Sequence, residues 1–273
     1  MNKILTISFF LLLAACGEAT NNDPNLSASE QCDGDLVTVV LPPKGLPDAC
    51  VNDESGVSEI TLISDVTSES ITFNVYTPPG YECSALDYPV TYFLHGVNGN
   101  PSIINQVSQS LEVAMQQGVS GPMILVAPDG YGNTMWGDNY FGDKPAESDS
   151  IGQILPYIDT QYRTITSQKY RSVQGFSMGG FGAMAWATKF PELFFAGINY
   201  DGALHTWETL TTEMAPVNAG MPEEFNSDET NFLPYSPYVY AVVNAEEIKT
   251  SVELRSVVGL LDDKNTRFKD VLI

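Results

Sequence analysis

"VQGFSMGGFGAM", Val173 to Met184, is the stretch on which the reading of this chain turns. Its centre, "GFSMG" from Gly175 to Gly179, fits the pattern G-x-S-x-G. Such a pattern sets a serine on a strained turn between a strand and a helix. Its neighbours must be small because the chain passes closely there. The turn lifts the hydroxyl of Ser177 above a sheet edge. It also gathers backbone N–H groups at a helix N-terminus, where negative charge is stabilised. Five residues alone are a weak signal, and a glycine-rich turn with a bystander serine is the bland alternative. The context favours a nucleophile: "RSVQG" reads as a strand before the turn and "MGGFGAMAWATKF" as a small-residue helix after it.

Outward from this turn, strands and helices alternate. "VSEITLIS" and "SITFNVYTP" are β-rich and joined by a polar turn, as in a hairpin. "YPVTYFLHG" and "PMILVAPDG" are apolar runs of buried-strand type. "IINQVSQSLEVAMQQG" has helical spacing and stops at Gly118. "DSIGQILPYIDTQYRT" predicts a helix capped near Asp149 or Ser150 and bent at Pro156. "FAGINYDGA" is a further strand, and "AEEIKTS" a helix before the strand "LRSVVGLLDD". The alternation predicts an α/β chain with a mainly parallel sheet covered on both faces. Residues 206–240 show little pattern and read either as a cap over a pocket or as a surface excursion.

Two more segments carry chemistry. "LHGVNG", Leu94 to Gly99, follows a predicted central strand. Acyl transfer creates an oxyanion that needs two donors. Met178 N–H, just after the serine, is one candidate, and Val97 N–H in this earlier loop is the other. Losing one such donor typically costs ~3 kcal/mol of transition-state stabilisation. His95 is read as shaping that loop, with a catalytic-base role as the alternative. "VVGLLDD", Val257 to Asp263, puts acids at the C-terminal end of a strand, where open α/β sheets build their sites. An acid there orients a histidine and stabilises its imidazolium. Plain solvated turn acids are the alternative.

Composition narrows the rest. The chain has 273 residues, 34 Asp and Glu against 12 Lys and Arg, and a formal net charge of −22. So acidic a surface repels phosphate backbones, which excludes nucleic-acid binding as an expectation. Lys3 followed by "ILTISFFLLLAA" is too short to span a bilayer as a helix and reads as an export signal. It ends in "LAAC", which resembles a bacterial lipoprotein signal with Cys16 as the lipidated residue. Membrane association is then expected through the lipid anchor only. Residues 17–31 read as a tether, and residues 17–56 together as a lead segment before a domain at 57–273. Export makes a disulfide plausible, and Cys32 with Cys50 is the expected pair, with Cys83 left over. No spacing suggests a metal site, and no organic cofactor is expected.

Together these segments resemble the esterase D/antigen 85-type α/β-hydrolases, a group with S-formylglutathione hydrolases, feruloyl and acetylxylan esterases, and mycolyltransferases. The resemblance runs from about Ile71 onward and rests on "YPVTYFLHG", "APDGYGNTMW", "QGFSMGGFGAMAWATKFPELF" and "VVGLLDD". It implies the α/β-hydrolase fold and a serine carboxylesterase acting on a small ester or an ester-decorated polysaccharide. G-x-x-D spacing from Gly259 selects Asp262 as the family acid. The resemblance also sets His95 and Gly96 of the "HG" loop, with Asp129 and Trp136, along the substrate cleft. Packing is the alternative for Trp136.

One feature departs from the family. Its triad runs serine, acid, histidine, and no histidine follows Asp262 in the eleven residues to Ile273. Three readings compete: a fold incomplete at the C-terminus, His205 facing the cleft as a substitute base, or a non-catalytic relative that binds carbohydrate or a partner. Acyl transfer to a sugar acceptor is the rival within the same chemistry.

Overall fold

Among the described residues, short runs bounded by turn residues form seven strands. The computed structural model describes residues 54–212, 220–258 and 268. Its strands are β1 (Gly56–Ile63), β2 (Ser70–Thr77), β3 (Val90–Leu94), β4 (Ile124–Ala127), β5 (Arg171–Phe176), β6 (Ala196–Tyr200) and β7 (Glu253–Val257). They lie in the order β1-β2-β4-β3-β5-β6-β7. The expected hairpin is present, with Gly56 opposite Thr77 and Ile63 opposite Ser70. β2 joins β4 antiparallel, and every later pairing is parallel. The mainly parallel α/β sheet is therefore as the alternation predicts.

Helices cover both faces. α1 (Ile104–Gln116) follows β3; α2 (Ala146–Asp149) and α3 (Leu155–Gln161) follow β4; α4 (Met178–Lys189) follows β5. Between β6 and β7 lie α5 (Trp207–Thr212), α6 (Met221–Glu224), α7 (Glu229–Phe232), α8 (Pro237–Val243) and α9 (Ala245–Ser251). The period-2 alternation of a strand divides the core. Tyr92 and Leu94 of β3 join the cluster built by α4, whereas Phe93 joins Ile104, Val107 and Leu111 of α1. Residues 206–240 lack pattern because their helices are short. Their described part nonetheless buries Leu210, Met221, Phe225 and Phe232 in the α4 core, with Phe232 5.7 Å from the Phe181 ring.

One helix start differs from expectation. The helical run begins at Ala146, so Asp149 and Ser150 lie inside it rather than at its cap. Asp149 instead accepts from the hydroxyl of Ser64 at 2.6 Å and from that of Tyr131. A π turn, Ser150–Ile154, takes up the irregularity just before Pro156, which has no N–H to give the preceding turn.

β3 lies between β4 and β5, so the chain leaves it toward one side of the sheet and returns on the other. At such a reversal the loops beyond the strand ends diverge and leave a crevice. The loop after β3 carries His95 to Gly99, and the turn after β5 carries Ser177. Asp262 and Asp263, the signal segment with Cys16, and Cys32 and Cys50 lie outside the described residues. Cys83 is disulfide-bonded. Cys83, left over in the expected pairing, thus has a disulfide partner.

Candidate active site

Ser177 sits between the last residue of β5 and the first of α4, with φ 55° and ψ −117°. L-residues rarely adopt such a backbone, and it persists only where neighbours enforce it. Here Ser177 donates its N–H to Tyr200 O at 3.1 Å, and its carbonyl accepts from Ala203 N–H at 2.9 Å. The glycines supply the room. A Cβ on Gly175 would lie 2.1 Å from Gly179 O, and one on Gly179 would lie 2.0 Å from Leu94 O. Thus β3, β5 and α4 converge to backbone contact at the elbow. Ser177 is left partly exposed.

Met178 opens α4, so its N–H has no carbonyl a turn earlier to bond. The Val97 loop runs alongside. A Cβ on Gly96 would meet Phe176 O and the Ser177 Cβ, each at 3.5 Å. Gly99 N–H donates to Gly96 O and Asn98 N–H to Gly132 O, both at 3.0 Å, which tightens this loop against the one after β4.

His95 is 2% exposed, and its ring joins the same two loops. Gly130 donates its N–H to Nε2 at 2.9 Å. Nε2 is therefore an acceptor, the proton resides on Nδ1, and Nδ1 donates to Gly96 O at 2.8 Å. Trp136 backs this arrangement. Its Nε1 donates to His95 O at 3.1 Å, and its ring centroid lies 4.9 Å from the imidazole. Trp186 of α4 in turn donates from Nε1 to Trp136 O at 3.1 Å. Trp136 is 1% exposed, so it supports the wall from behind and does not line a cleft as expected. Large aromatics with one polar handle serve this purpose, since the ring fills volume while the N–H fixes orientation.

Asp129 stands at the C-terminal end of β4 with its side chain 39% exposed. Its Oδ1 accepts from Tyr131 N–H at 2.8 Å and lies 3.8 Å from His95 Nε2, which Gly130 already occupies. His205 also departs from the expectation of a cleft-facing ring. It is 0% exposed in the turn after β6, with Nδ1 3.2 Å from Thr209 Oγ1. The turn folds it inward, with its ring against Thr209 of α5. Phe176 pairs with Tyr200 and Tyr200 with Val257, so β5, β6 and β7 end level.

Sequence reasoning missed two groups. A cleft of about 580 Å³ opens beside the elbow, and its walls include Gly96, Val97, Phe176 and the α1 amides Asn105, Gln106 and Gln109. The signal was the amide spacing in "NQVSQ". The second is Lys189 of α4, 2.5 Å from Glu147 of α2, with Nζ also 4.9 Å from the centre of the Tyr235 ring. No local pattern announces a pair 42 residues apart. Among the described residues, no group of three His, Cys, Asp or Glu is placed to hold a metal ion.

Comparison with known proteins agrees with this architecture. A family profile described as "Putative esterase" matches residues 64–271. The chain belongs to this esterase family. An esterase of Mycobacterium tuberculosis is 34% identical over 135 residues, 47% of this chain and 28% of that protein. An endo-1,4-beta-xylanase/feruloyl esterase of Xylanibacter ruminicola is 27% identical over 151 residues, 50% of this chain and 20% of that protein. The chain thus spans about a quarter of the length of these curated relatives. A solved ferulic acid esterase superimposes with a TM-score of 0.69 at 24% identity, covering 81% of this chain and 86% of its own. The esterase-family chain has the α/β-hydrolase fold.

Proposed function

We propose that this protein is a serine carboxylesterase in which Ser177 is the nucleophile. The observation that carries the reading is the strained Ser177 backbone at the end of β5, enforced by Gly175 and Gly179 and flanked by the Gly96 loop. Strain kept at a partly exposed serine on a crevice is what a nucleophile elbow requires. Ser177 Oγ attacks the ester carbonyl, Met178 and Val97 N–H groups hold the oxyanion, and the alcohol leaves. Water then hydrolyses the acyl-enzyme. Asp262, five residues beyond the end of β7, is the proposed acid. It would orient a histidine base. His95 is not that base, because both its ring nitrogens are engaged with backbone groups. His205 is not assigned the role either, being fully buried.

Esters on polysaccharides, feruloyl or acetyl, are the proposed substrates, in keeping with the name of the xylanase/feruloyl esterase relative. The "LAAC" signal supports export as a lipoprotein anchored through Cys16 and facing the periplasm or the cell surface. The test uses the intact gene product. Fluorophosphonate labelling at Ser177 and turnover of p-nitrophenyl acetate, both lost in Ser177→Ala, are expected. Turnover that survives Ser177→Ala would refute the assignment.

A further inference from the structure

We propose that Asn199 is a positioning residue for the reaction: its buried carboxamide wedges the turn that holds the backbone of Ser177. This rests on Ser177 being the nucleophile. The Ser177 N–H donates to Tyr200 O at 3.1 Å, and its carbonyl accepts from Ala203 N–H at 2.9 Å. Both groups thus bond to the turn after β6. The direction of the serine hydroxyl, and of the Met178 N–H that follows it, depends on where that turn lies.

Asn199 is 0% exposed near the end of β6. Ile198 and Tyr200 on either side of it pack with α1, so strand alternation turns Asn199 toward α4. An apolar side chain would fill this place without the cost of burying an amide. The amide instead spans three elements. Its Nδ2 donates to Ser256 Oγ of β7 at 3.2 Å. Its Oδ1 would lie 2.5 Å from a Cβ on Gly180, in the first turn of α4, and 2.0 Å from one on Gly202, in the turn after β6. The three atoms nearest that Gly202 Cβ are Oδ1, Cγ and Nδ2, all of Asn199. Gly202 has no positive φ, so it is a glycine to make room for this amide and not to permit its own backbone. Asp201, one residue earlier, donates its N–H to Val257 O at 2.8 Å. Amide and backbone together fix the turn against β7 and α4, and the turn passes that position to Ser177. Such a link matters to rate, because misplacing a reacting group by ~1 Å can cost about 10²-fold.

The experiment measures kcat and KM on p-nitrophenyl acetate, and the rate of fluorophosphonate labelling, for the intact gene product well below each variant's melting midpoint. Asn199→Ala removes the wedge, and Gly202→Ala pushes it aside. Each should lower kcat and the labelling rate about tenfold or more, at a KM within about twofold of wild type. In Asn199→Ala/Gly202→Ala the added methyl enters the space the amide left, so the loss should not exceed that of the worse single variant. A lower melting midpoint with unchanged kcat makes Asn199 a structural residue only and overturns the inference. A rise in KM alone, or losses that multiply in the double variant, overturns it too; the esterase reading survives each of these results. Wild type that neither labels nor turns over the ester overturns the esterase reading and this inference with it. If Asn199→Ala does not fold, Ser256→Val decides. It sets a methyl in place of the Nδ2 acceptor at an exposed strand position, and kcat should fall at least about threefold at unchanged KM. An unchanged kcat there overturns the inference.

Discussion

Gly130 gives its backbone N–H to Nε2 of His95 at 2.9 Å, across 35 residues of sequence. With Nδ1 donating to Gly96 O, the imidazole is a strut between the loop after β4 and the loop that passes Ser177. A histidine next to a nucleophile invites the role of base. The geometry gives this one the task of holding Val97 in place.

His95→Ala should therefore behave as a positioning variant. It leaves Gly130 N–H unpaired and opens a cavity against Trp136, costing ~2–4 kcal/mol in urea unfolding. On the proposed role of Val97 N–H as an oxyanion donor, its displacement should lower kcat about 10²-fold. The pH–rate profile should keep its midpoint. A profile that loses its acid limb in this variant would make His95 the base after all.

Ser177 stores strain that glycine would release. At φ 55° and ψ −117°, Ser177→Gly is expected to be about 1 kcal/mol more stable than Ser177→Ala, although glycine usually lowers stability through the unfolded chain. Urea melts of the two inactive variants decide it. Equal or reversed stability would mean that the turn is not strained.

Close approach at the elbow predicts a contrast between two glycines. Gly179→Ala drives a Cβ to 2.0 Å from Leu94 O, which forces β3 and α4 apart, and should cost at least ~3 kcal/mol. Gly96→Ala meets only ordinary contacts at 3.5 Å and should stay within about 1 kcal/mol of wild type. Chemical denaturation of both variants tests the pair.

Burial pushes the Glu147 carboxyl up from 4.5 to about 7, with Lys189 offsetting only part of that effect. The native state then holds a proton that the unfolded chain releases. Stability from this group is fully present below pH 4.5 and is lost as pH rises through about 7. The displacement corresponds to ~3 kcal/mol. Unfolding free energies measured from pH 4 to 8 should show this decline in the wild type, and Glu147→Gln should flatten it. Identical slopes would disprove the linkage.

Much was legible in the sequence because its cause is local. Apolar runs near "YPVTYFLHG" and "PMILVAPDG" became β3 and β4, since a strand buried on both faces has no polar period to hide it. Gly118 ended α1 through its left-handed conformation, at φ 69°. The helix near Asp149 was misplaced because that carboxylate is committed to Ser64, 85 residues away, not to a nearby N–H.

By itself the sequence determined the strand–helix alternation, the elbow at Ser177 and the loop that follows β3, because turn chemistry and side-chain period act over a few residues. Tertiary structure alone decided what surrounds them. It fixed the strand order, turned His95 and Trp136 into supports, buried His205, paired Glu147 with Lys189, and set the α1 amides beside the Gly96 loop. Those outcomes depend on contacts between residues tens of positions apart, which no local pattern encodes.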